Sequence, residues 1–345
     1  MEIFLTDDNC RGSLFPFTEI RHTADIRVGI FTIREKWERL TGLHINLLTE
    51  AKTGSRDMVY IDANVIPTTS NFEILLDAYR NGRQLDKNSD IRTIQYPWHI
   101  SQFNDWAIRK DFEMIKQMGK SEFVPESNRV INPGGIFLSK GVKMEFCILN
   151  ADDGPIFIGD NAQVMEGSIL RGPLAICAEA AVKMGSKIYS GTTIGPGCVA
   201  GGEIKNTVMF ANSNKAHDGY LGDSVIAEWC NLGAGTSNSN LKNNAANVHF
   251  DLDGITLNAG NKAGLLMGDY SRAAINTSFN TGTIVGISCN IFDPGMPPRN
   301  IPSFSWGKER YNLDKAIRDI ENWKALKNKS LNEAEKLKLT ELYNK

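Results

Sequence analysis

A six-residue repeat of aliphatic side chains constrains the fold of this chain more than any other feature. From residue 158 to residue 194 every sixth position is Ile, Val or Leu, and small residues such as Ala162 and Ser168 recur four positions later. A helix repeats every 3.6 residues and a strand every 2, so neither element alone produces this period. The period is typical of a chain that forms a short strand, turns a corner and repeats. The aliphatic positions are Ile158, Val164, Leu170, Ile176, Val182, Ile188 and Ile194.

This repeat predicts a parallel β-helix of the hexapeptide type, which we expect to be left-handed and to span residues 129–305. The ends of such a solenoid must be covered. We expect an α/β domain over residues 1–128 and a helical tail over residues 306–345 to flank it. The tail predicts two helices, the second beginning with a capping box of Ser330 and Glu333.

Composition excludes several classes of function. The 38 basic and 40 acidic residues give a formal charge of -2, so no bulk field attracts nucleic acid or a membrane surface. No stretch approaches the ~20 apolar residues of a membrane span, and the N-terminus lacks a signal-peptide pattern. The six cysteines show no metal-ligand spacing and predict buried, reduced thiols. We expect a soluble cytoplasmic protein with no nucleic-acid or membrane partner.

The period fails after Ile194 and returns at Ile226, a step that is not a multiple of six. The failure predicts that residues 206–220, which include His217, form a loop extruded from a stiff scaffold. Such loops commonly carry sites, and histidine can act as a general base near neutral pH. An exposed histidine without a role is the alternative. Residues 231–244 are rich in Asn, Gly and Ser, which suits either turns or a sugar ligand.

One segment resembles the acetyltransferase half of a bifunctional bacterial enzyme family. That family combines N-acetylglucosamine-1-phosphate uridyltransferase with glucosamine-1-phosphate acetyltransferase. The family pattern K…H..YLGD…N.GAGT…N aligns without gaps, and MGDYSRAAINTSFNTGTIVG at residues 267–286 resembles the following coils. The whole chain resembles the Bacteroidetes-type variant, often labelled sugar nucleotidyltransferase or glucose-1-phosphate thymidylyltransferase. The aligned positions are Lys205, His217, Tyr220 to Asp223, Asn231, Gly233 to Thr236 and Asn240.

The resemblance implies a role for each aligned residue. His217 is expected to take a proton from the sugar amine as the amine attacks the thioester of acetyl-CoA. Lys205 and Arg171 are expected to hold the sugar phosphate, and CoA to lie along the coils near Ile275. The family lysine after Asn240 is replaced by Ala246, so the identity of the acceptor stays open. A homotrimer is expected to share the site, with sugar contacts from Tyr220, Asn231 and Asn240.

The N-terminal segment resembles the phosphate-binding loop of sugar nucleotidyltransferases, GxGxRLxPLTxxxPK. LFPFT at residues 14–18 matches LxPLT, but Ser13 stands where the family has arginine. In such loops, backbone amides and basic residues hold phosphates. Asp62 follows a predicted strand, where a metal-binding aspartate or an ordinary turn residue would stand. The resemblance implies a nucleoside triphosphate with Mg²⁺ at Asp62, bound by Arg11, Gly12, Arg21 and Arg27.

The leading interpretation is a transferase that N-acetylates an amino sugar phosphate from acetyl-CoA and carries a trimmed nucleotidyltransferase-like domain. The alternative is a sugar-1-phosphate nucleotidyltransferase, forming a UDP- or dTDP-sugar, whose β-helix is regulatory or structural. A catalytically inactive scaffold is a further reading, which the joint presence of His217, Lys205, Asn231 and Asn240 opposes. A β-helix carbonic anhydrase needs three zinc-bound histidines, and only His217 and His249 fall in or near the repeats.

Overall fold

The computed structural model describes residues 2–49, 58–84, 90–252 and 254–345. Within them the chain forms an N-terminal α/β unit, a parallel β-solenoid of about ten turns and two C-terminal helices. None of the described helices is long and apolar enough to cross a membrane.

The N-terminal unit is built on a small parallel sheet whose central strand is β1. Ile3 and Leu5 of this strand are fully buried, as the alternation of a half-covered strand requires. In the last helix, α4, Ile108, Phe112 and Ile115 are all buried, as their helical spacing predicts. The elements are β1 (Glu2–Thr6), α1 (Ile33–Thr41), β2 (Ile45–Leu48), β3 (Met58–Asp62), β4 (Val65–Ile66), α2 (Phe72–Arg80), β5 (Arg92–Thr93), α3 (His99–Gln102) and α4 (Asn104–Met118), with short 3₁₀ turns at Gly12–Leu14 and Thr23–Asp25.

The solenoid has three sheets, one on each side, joined by short connections that we call corners. Their strands pair in parallel, except that the last two strands of the second sheet, Ser305–Trp306 and Glu309–Arg310, are antiparallel. Sheet 1 lies beneath the N-terminal unit, because Asn104 of α4 donates to the carbonyl of Gly191 (2.8 Å) beside it and Thr193 Oγ1 donates to the carbonyl of Gly29 (2.9 Å). Its strands are Ile136–Leu138, Ile156–Ile158, Leu174–Ile176, Thr192–Ile194, Val208–Met209, Val225–Ile226, Leu265–Met267, Thr283–Val285 and Asn300–Ile301.

Sheet 2 lies beneath the C-terminal helices. Lys327, which follows the first of these helices, donates to the carbonyl of Gly197 (2.6 Å) and to Asn214 Oδ1 (3.2 Å). The strands of sheet 2 are Lys143–Met144, Gln163–Val164, Ala181–Val182, Val199–Ala200, Asn214–Lys215, Asn231–Leu232, Arg272–Ala273, Asn290–Ile291, Ser305–Trp306 and Glu309–Arg310.

Sheet 3 presents its outer face to solvent in the described part of the chain. Ile131, Ile148 and Ile169 on that face are 49%, 43% and 45% exposed. Its strands are Arg129–Ile131, Ile148–Asn150, Ile169–Arg171, Lys187–Ile188, Glu203–Lys205 and Tyr220–Gly222, and the pair Ser237–Asn238 and Ser278–Phe279 continues that side.

The aliphatic repeat forms the core of this solenoid. Its positions fall on sheets 1, 2 and 3 in rotation, and each of them is at most 2% exposed. Paired residues in successive turns, such as Ile156 and Leu174, are 18 positions apart. Three sides of six residues therefore make one turn, and the predicted parallel solenoid is confirmed.

The predicted loop over residues 206–220 is wrong. Those residues include two strands, Val208–Met209 and Asn214–Lys215, that stay in register with the turn below. Val199 pairs with Asn214, 15 positions later, so this turn has lost residues. Most of the loss lies at the corner of Gly201 and Gly202, which is two residues shorter than the corner beneath it. The period fails because a corner is shortened, not because a loop is inserted.

The solenoid is interrupted farther along, where the sequence gives no periodic signal. Val225 pairs with Leu266, 41 positions later. The extra residues include an antiparallel hairpin of His249–Leu252 and Ile255–Asn258. Phe250 of this hairpin is fully buried and stacks on Trp98 with ring centroids 5.1 Å apart. The hairpin therefore packs against the N-terminal unit.

The two C-terminal helices are α5 (Leu313–Ala325) and α6 (Glu333–Tyr343). The predicted capping box of Ser330 and Glu333 is wrong by two residues. Asn332 accepts a hydrogen bond from the backbone of Glu335, and the Glu335 side chain accepts one from the backbone of Asn332. The side-chain amide of asparagine serves here as well as a hydroxyl would.

Candidate active site

His217 stands exposed at a corner between sheets 2 and 3. It follows the strand Asn214–Lys215 and precedes the strand Tyr220–Gly222. The shortened corner lies directly beneath. A Cβ on Gly201 would come within 2.5 Å of the Ala216 carbonyl oxygen, so glycine is required for this close approach. The backbone around His217 therefore rests on the shortened corner.

The corners of the next two turns stack on that of His217 and form one edge of the solenoid. Gly235 donates to the Asp218 carbonyl (3.0 Å), and Asn276 donates to the Ala234 carbonyl (2.7 Å). Ile275, which is 69% exposed, therefore lies two turns from His217. With strands about 4.8 Å apart, this separation is roughly 10 Å along the edge. We call this row of stacked corners the His217 edge.

Tyr220 lies on the outer face of sheet 3, next to the His217 edge. Leu221 points into the core, so Tyr220 points outward. Its ring crosses over Gly222, where a Cβ would lie 2.2 Å from the Tyr220 hydroxyl oxygen. Burial, followed by the nearby Asp223 carboxylate, raises the pKa of Tyr220 to about 12. The hydroxyl therefore stays protonated and can donate to a ligand.

Asp223 fixes the amides around Tyr220. Its carboxylate accepts hydrogen bonds from Asn206 Nδ2 (2.6 Å) and from Asn240 Nδ2. The Asn240 nitrogen also donates to the Tyr220 hydroxyl (3.0 Å). This nitrogen is therefore committed to protein acceptors, and the side-chain oxygen of Asn240 is its group suited to a ligand. Tyr220 and Asn240, both predicted as site residues, are brought together.

Lys205 is exposed on the same face, one turn below Tyr220. Its ammonium nitrogen lies 6.0 Å from the centroid of the Tyr189 ring. Arg171 lies two turns farther down this face, and Asp153 holds its Nε at 2.8 Å. The structure thus brings Lys205 to Tyr220 and leaves Arg171 roughly 10 Å below Lys205, in an ion pair.

Asn231 lies on the other side of the His217 edge. It belongs to sheet 2, where its side-chain oxygen is 3.5 Å from Asn214 Nδ2. Lys327 of the C-terminal segment bonds this same Asn214. The structure therefore does not group Asn231 with Tyr220 and Asn240.

The predicted nucleotide-binding arginines make contacts within the protein. The Arg21 side chain is 9% exposed and binds Asp269 in the solenoid with Nη1 3.0 Å from Oδ2, so it joins the two parts of the chain. Arg27 is buried and bonds the carbonyl of Ile30. Both guanidinium groups are therefore engaged within the protein, and their role in binding a nucleotide stays a prediction.

Arg11 and Gly12 lie in the turn after β1. Arg11 binds the buried carboxylate of Asp7 (3.0 Å) and the carbonyl of Thr18. Gly12 has no atom within 4 Å of the position of a Cβ, so its surroundings do not require glycine. Arg11 therefore organises the loop itself.

Both oxygens of Asp62 contact protein donors. They accept hydrogen bonds from Asn9 Nδ2 (2.7 Å) and the Tyr79 hydroxyl (2.9 Å). The described residues contain no group of three His, Cys, Asp or Glu side chains that could hold a metal ion. Magnesium at nucleotide sites is held by one or two carboxylates together with water and substrate phosphates, so the role of Asp62 stays a prediction.

The prediction of buried, reduced thiols is confirmed. All six cysteines are free and buried. Burial raises the pKa of Cys10 and Cys177 to about 11 and that of Cys198 to about 12. These thiols are therefore protonated at neutral pH and are poor nucleophiles.

Sequence analysis did not predict two features that organise the site, the contacts of Asp223 and the buried position of Lys215. Asp223 aligns with the YLGD motif, but its contacts with Asn206 and Asn240 depend on the stacking of turns. Lys215 is 0% exposed. It lies 15 positions after its partner Ala200, so the six-residue period does not predict that it faces inward.

Comparisons with known proteins find sugar nucleotidyltransferases and acetyltransferases. A family model described as sugar nucleotidyl transferase matches residues 3–85. Bifunctional protein GlmU of Methanocaldococcus jannaschii is 32% identical over 111 residues, covering 32% of this chain and 27% of that protein. The bifunctional sugar-1-phosphate nucleotidylyltransferase/acetyltransferase of Sulfurisphaera tokodaii is 33% identical over 100 residues, covering 29% of this chain and 25% of that protein.

A third relative covers more of the chain. The uncharacterized acetyltransferase YaiX of Escherichia coli is 29% identical over 160 residues, which are 45% of this chain and 69% of that protein. The chain spans about a quarter of the length of the first two relatives. The family model and these matches make the chain similar, over parts of its length, to GlmU-like sugar nucleotidyltransferase and acetyltransferase proteins.

Proposed function

We propose that this protein transfers the acetyl group of acetyl-CoA to the amine of an amino sugar phosphate of the glucosamine-1-phosphate type. The observation that carries the proposal is the position of His217. It stands where the polar face of Lys205, Tyr220 and Asn240 meets the stacked corners leading to Ile275. A general base needs both substrates within reach, and this edge adjoins a polar surface and a row of stacked corners.

The reaction balances with one base. The amine nitrogen attacks the thioester carbonyl carbon, and the His217 imidazole accepts the proton that this nitrogen loses. The tetrahedral intermediate then collapses, the C–S bond breaks, and the CoA sulfur leaves with a proton from the imidazolium. An exposed imidazole is suited to this exchange because histidine can act both as a general base and as a general acid.

The residues on sheet 3 supply complementary groups for the sugar phosphate. The ammonium of Lys205 offers a positive charge to the phosphate. The Tyr220 hydroxyl can donate to a sugar oxygen, and the side-chain oxygen of Asn240 can accept from a sugar hydroxyl. Arg171 would take part only from two turns below Lys205, and Asn231 only from the other side of the His217 edge.

We further propose a cytoplasmic homotrimer of left-handed hexapeptide solenoids, with the domain boundaries 1–128, 129–305 and 306–345. Sheets 1 and 2 are covered by the chain itself, and sheet 3 exposes Ile131, Ile148 and Ile169 beside a cavity of about 210 Å³. A neighbouring chain that covers this apolar face would also approach Lys205 and Tyr220. Sedimentation equilibrium tests the proposal, because a single-chain mass at micromolar concentration would contradict it.

The central experiment measures free CoA released by the full chain from acetyl-CoA and glucosamine-1-phosphate. We expect His217→Ala to lower kcat by about 10²–10⁴-fold, the usual contribution of a general base. His44→Ala is the matched control, because His44 is 80% exposed and lies in the N-terminal unit. Release that is unchanged in His217→Ala would refute the role of this residue.

The nucleotidyltransferase reading is kept as a second candidate because the sugar nucleotidyl transferase model matches residues 3–85. The internal contacts of Arg21 and Asp62 oppose it. Pyrophosphate release from UTP or dTTP with a sugar-1-phosphate tests it. Release that depends on the sugar phosphate would establish this activity whatever the outcome of the CoA assay.

A further inference from the structure

Lys215 is a charged residue in an inward-facing row of apolar side chains. It pairs with Ala200 in the turn below, and its side chain is 0% exposed. Burying an ammonium group is costly unless protein acceptors replace the water around it. The other members of the row are Met144, Val164, Val182, Ala200, Leu232, Ala273 and Ile291.

The acceptors of the Lys215 ammonium belong to the corner that carries His217. The Nζ atom donates to the main-chain carbonyl of His217 and to that of Asp218 (3.2 Å). The Asp218 carbonyl also accepts from Gly235, which begins the stacking of the His217 edge. The Lys215 ammonium therefore holds the main chain of His217. It also binds the Asp218 carbonyl, which makes the first contact to the next turn.

The shortened corner beneath His217 explains why the main chain there needs hydrogen bonds from Lys215. The corner of His217 has two more residues than the corner of Gly201 and Gly202 below it. The additional residues cannot follow the ladder of the turn below, and the carbonyls of His217 and Asp218 turn toward the buried ammonium. Without the Lys215 ammonium the His217 carbonyl would lose this donor, so the corner would rearrange to turn that carbonyl toward water.

An apolar side chain would fill the same space without the cost of burying a charge. Burial lowers the pKa of Lys215 to about 8, although Asp218 acts in the opposite direction. Methionine would fill this volume with no ionisable group. Retaining lysine here is therefore best explained by what its N–H groups bind.

We infer that Lys215 is a positioning residue, which holds the His217 main chain so that the imidazole faces the surface of Tyr220 and Lys205. The inference rests on the proposed acetyl transfer. Lys215 touches no substrate, so its loss should slow the chemical step and leave substrate binding nearly unchanged. A residue that acts only on stability would lower the amount of folded protein without changing kcat of the folded fraction.

The test compares full-length Lys215→Met with Val182→Ala, which alters the same inward row two turns below and touches no atom of the corner. We expect Lys215→Met to lower kcat for CoA release by about 10–100-fold with both KM values within about threefold. We expect Val182→Ala to lower Tm and to keep the wild-type kcat. An equal loss of kcat in the two variants at equal Tm would overturn the inference.

A second measurement does not depend on activity. The ¹³C-labelled imidazole of His217, assigned by its absence in His217→Ala, should change chemical shift or split into several signals in Lys215→Met. A shifted signal without any CoA release by the wild type would sustain the positioning role and refute the proposed reaction. An unchanged signal together with wild-type kcat in Lys215→Met would refute the positioning role alone.

Chemical rescue separates hydrogen bonding from charge. Lys215→Ala leaves room for a propylammonium ion, which restores both the cation and its N–H donors. We expect propylammonium to raise the kcat of this variant several-fold and tetramethylammonium, which has no N–H group, to leave it unchanged. Equal rescue by both ions would contradict the proposed tie to the His217 and Asp218 carbonyls.

Discussion

The N-terminal unit and the His217 edge use charged side chains in opposite ways. In the N-terminal unit, Arg21 binds Asp269, Lys36 binds Asp111, and Asp62 accepts from Tyr79. At the solenoid edge, His217 and Lys205 face solvent. Charges that meet inside the protein join its parts, and charges left at the surface are available to a ligand. The difference favours the solenoid edge for the proposed chemistry, although the sugar nucleotidyl transferase model matches the other end of the chain.

Arg21→Met is the most direct test of whether a buried ion pair joins the N-terminal unit to the solenoid. The side chains of Arg21 and Asp269 are 9% and 2% exposed, so the substitution leaves a buried carboxylate without its partner. Such a loss typically costs about 3–5 kcal/mol, which urea unfolding monitored by tryptophan fluorescence can measure. Arg171→Met, in an exposed pair with Asp153, should cost less than about 1 kcal/mol. If the two variants lost the same free energy of unfolding, the buried ion pair would be no more stabilising than the exposed one.

Lys205→Met tests the ligand-binding role at the edge. A hydrogen bond to a charged group contributes about 1.5–3 kcal/mol, so we expect KM for the amino sugar phosphate to rise about 10–100-fold. The free energy of unfolding should hardly change, because Lys205 is exposed. Lys187→Met is the control, since Lys187 is exposed on the same face one turn below. If KM rose in both variants, the effect would come from the overall positive charge of this face and not from a direct contact between Lys205 and the phosphate.

The pH dependence of stability sharpens the comparison between two buried cations. Asp269 and Glu228 outweigh burial and keep the pKa of Arg21 above its ordinary value, so Arg21 stays charged. Burial lowers the pKa of Lys215 to about 8, below the value of 10.5 for the unfolded chain. Between these values the unfolded chain binds more protons, so this group makes the fold more stable as pH rises.

The predicted effect is measured as a difference. From pH 7 to pH 9.5 the unfolding free energy of the wild type should increase relative to Lys215→Met by on the order of 2 kcal/mol. Subtracting the variant cancels the titration of tyrosines and cysteines shared by the two proteins. A difference that stays constant with pH would show that Lys215 does not titrate in this range.

The core of the fold could be predicted because it depends on local spacing. The aliphatic positions from Ile158 to Ile194 repeat along the chain, and each turn repeats the same contacts. The stripe of Ile108, Phe112 and Ile115 is equally local. In both cases a periodic pattern in the sequence corresponds directly to a face in the structure.

The candidate site could be predicted only in part, because its geometry depends on which turns stack. The step from Ile194 to Ile226 fits either an inserted loop or a shortened corner, and the sequence does not distinguish the two. Asn231 and Tyr220 lie close in the sequence but on different sheets. The Arg21–Asp269 pair joins residues 248 positions apart, which no local pattern reveals.

The variable length of the corners affects how such proteins diverge in evolution. Paired residues are 15 positions apart at Val199 and 41 apart at Val225, yet sheets 1 and 2 continue through both places. A strand substitution must suit the turns above and below it, whereas a corner can gain or lose residues without moving the sheets. Ancestral divergence in this architecture should therefore accumulate as small insertions and deletions at the corners, and new substrate preferences can arise there while the scaffold is inherited intact.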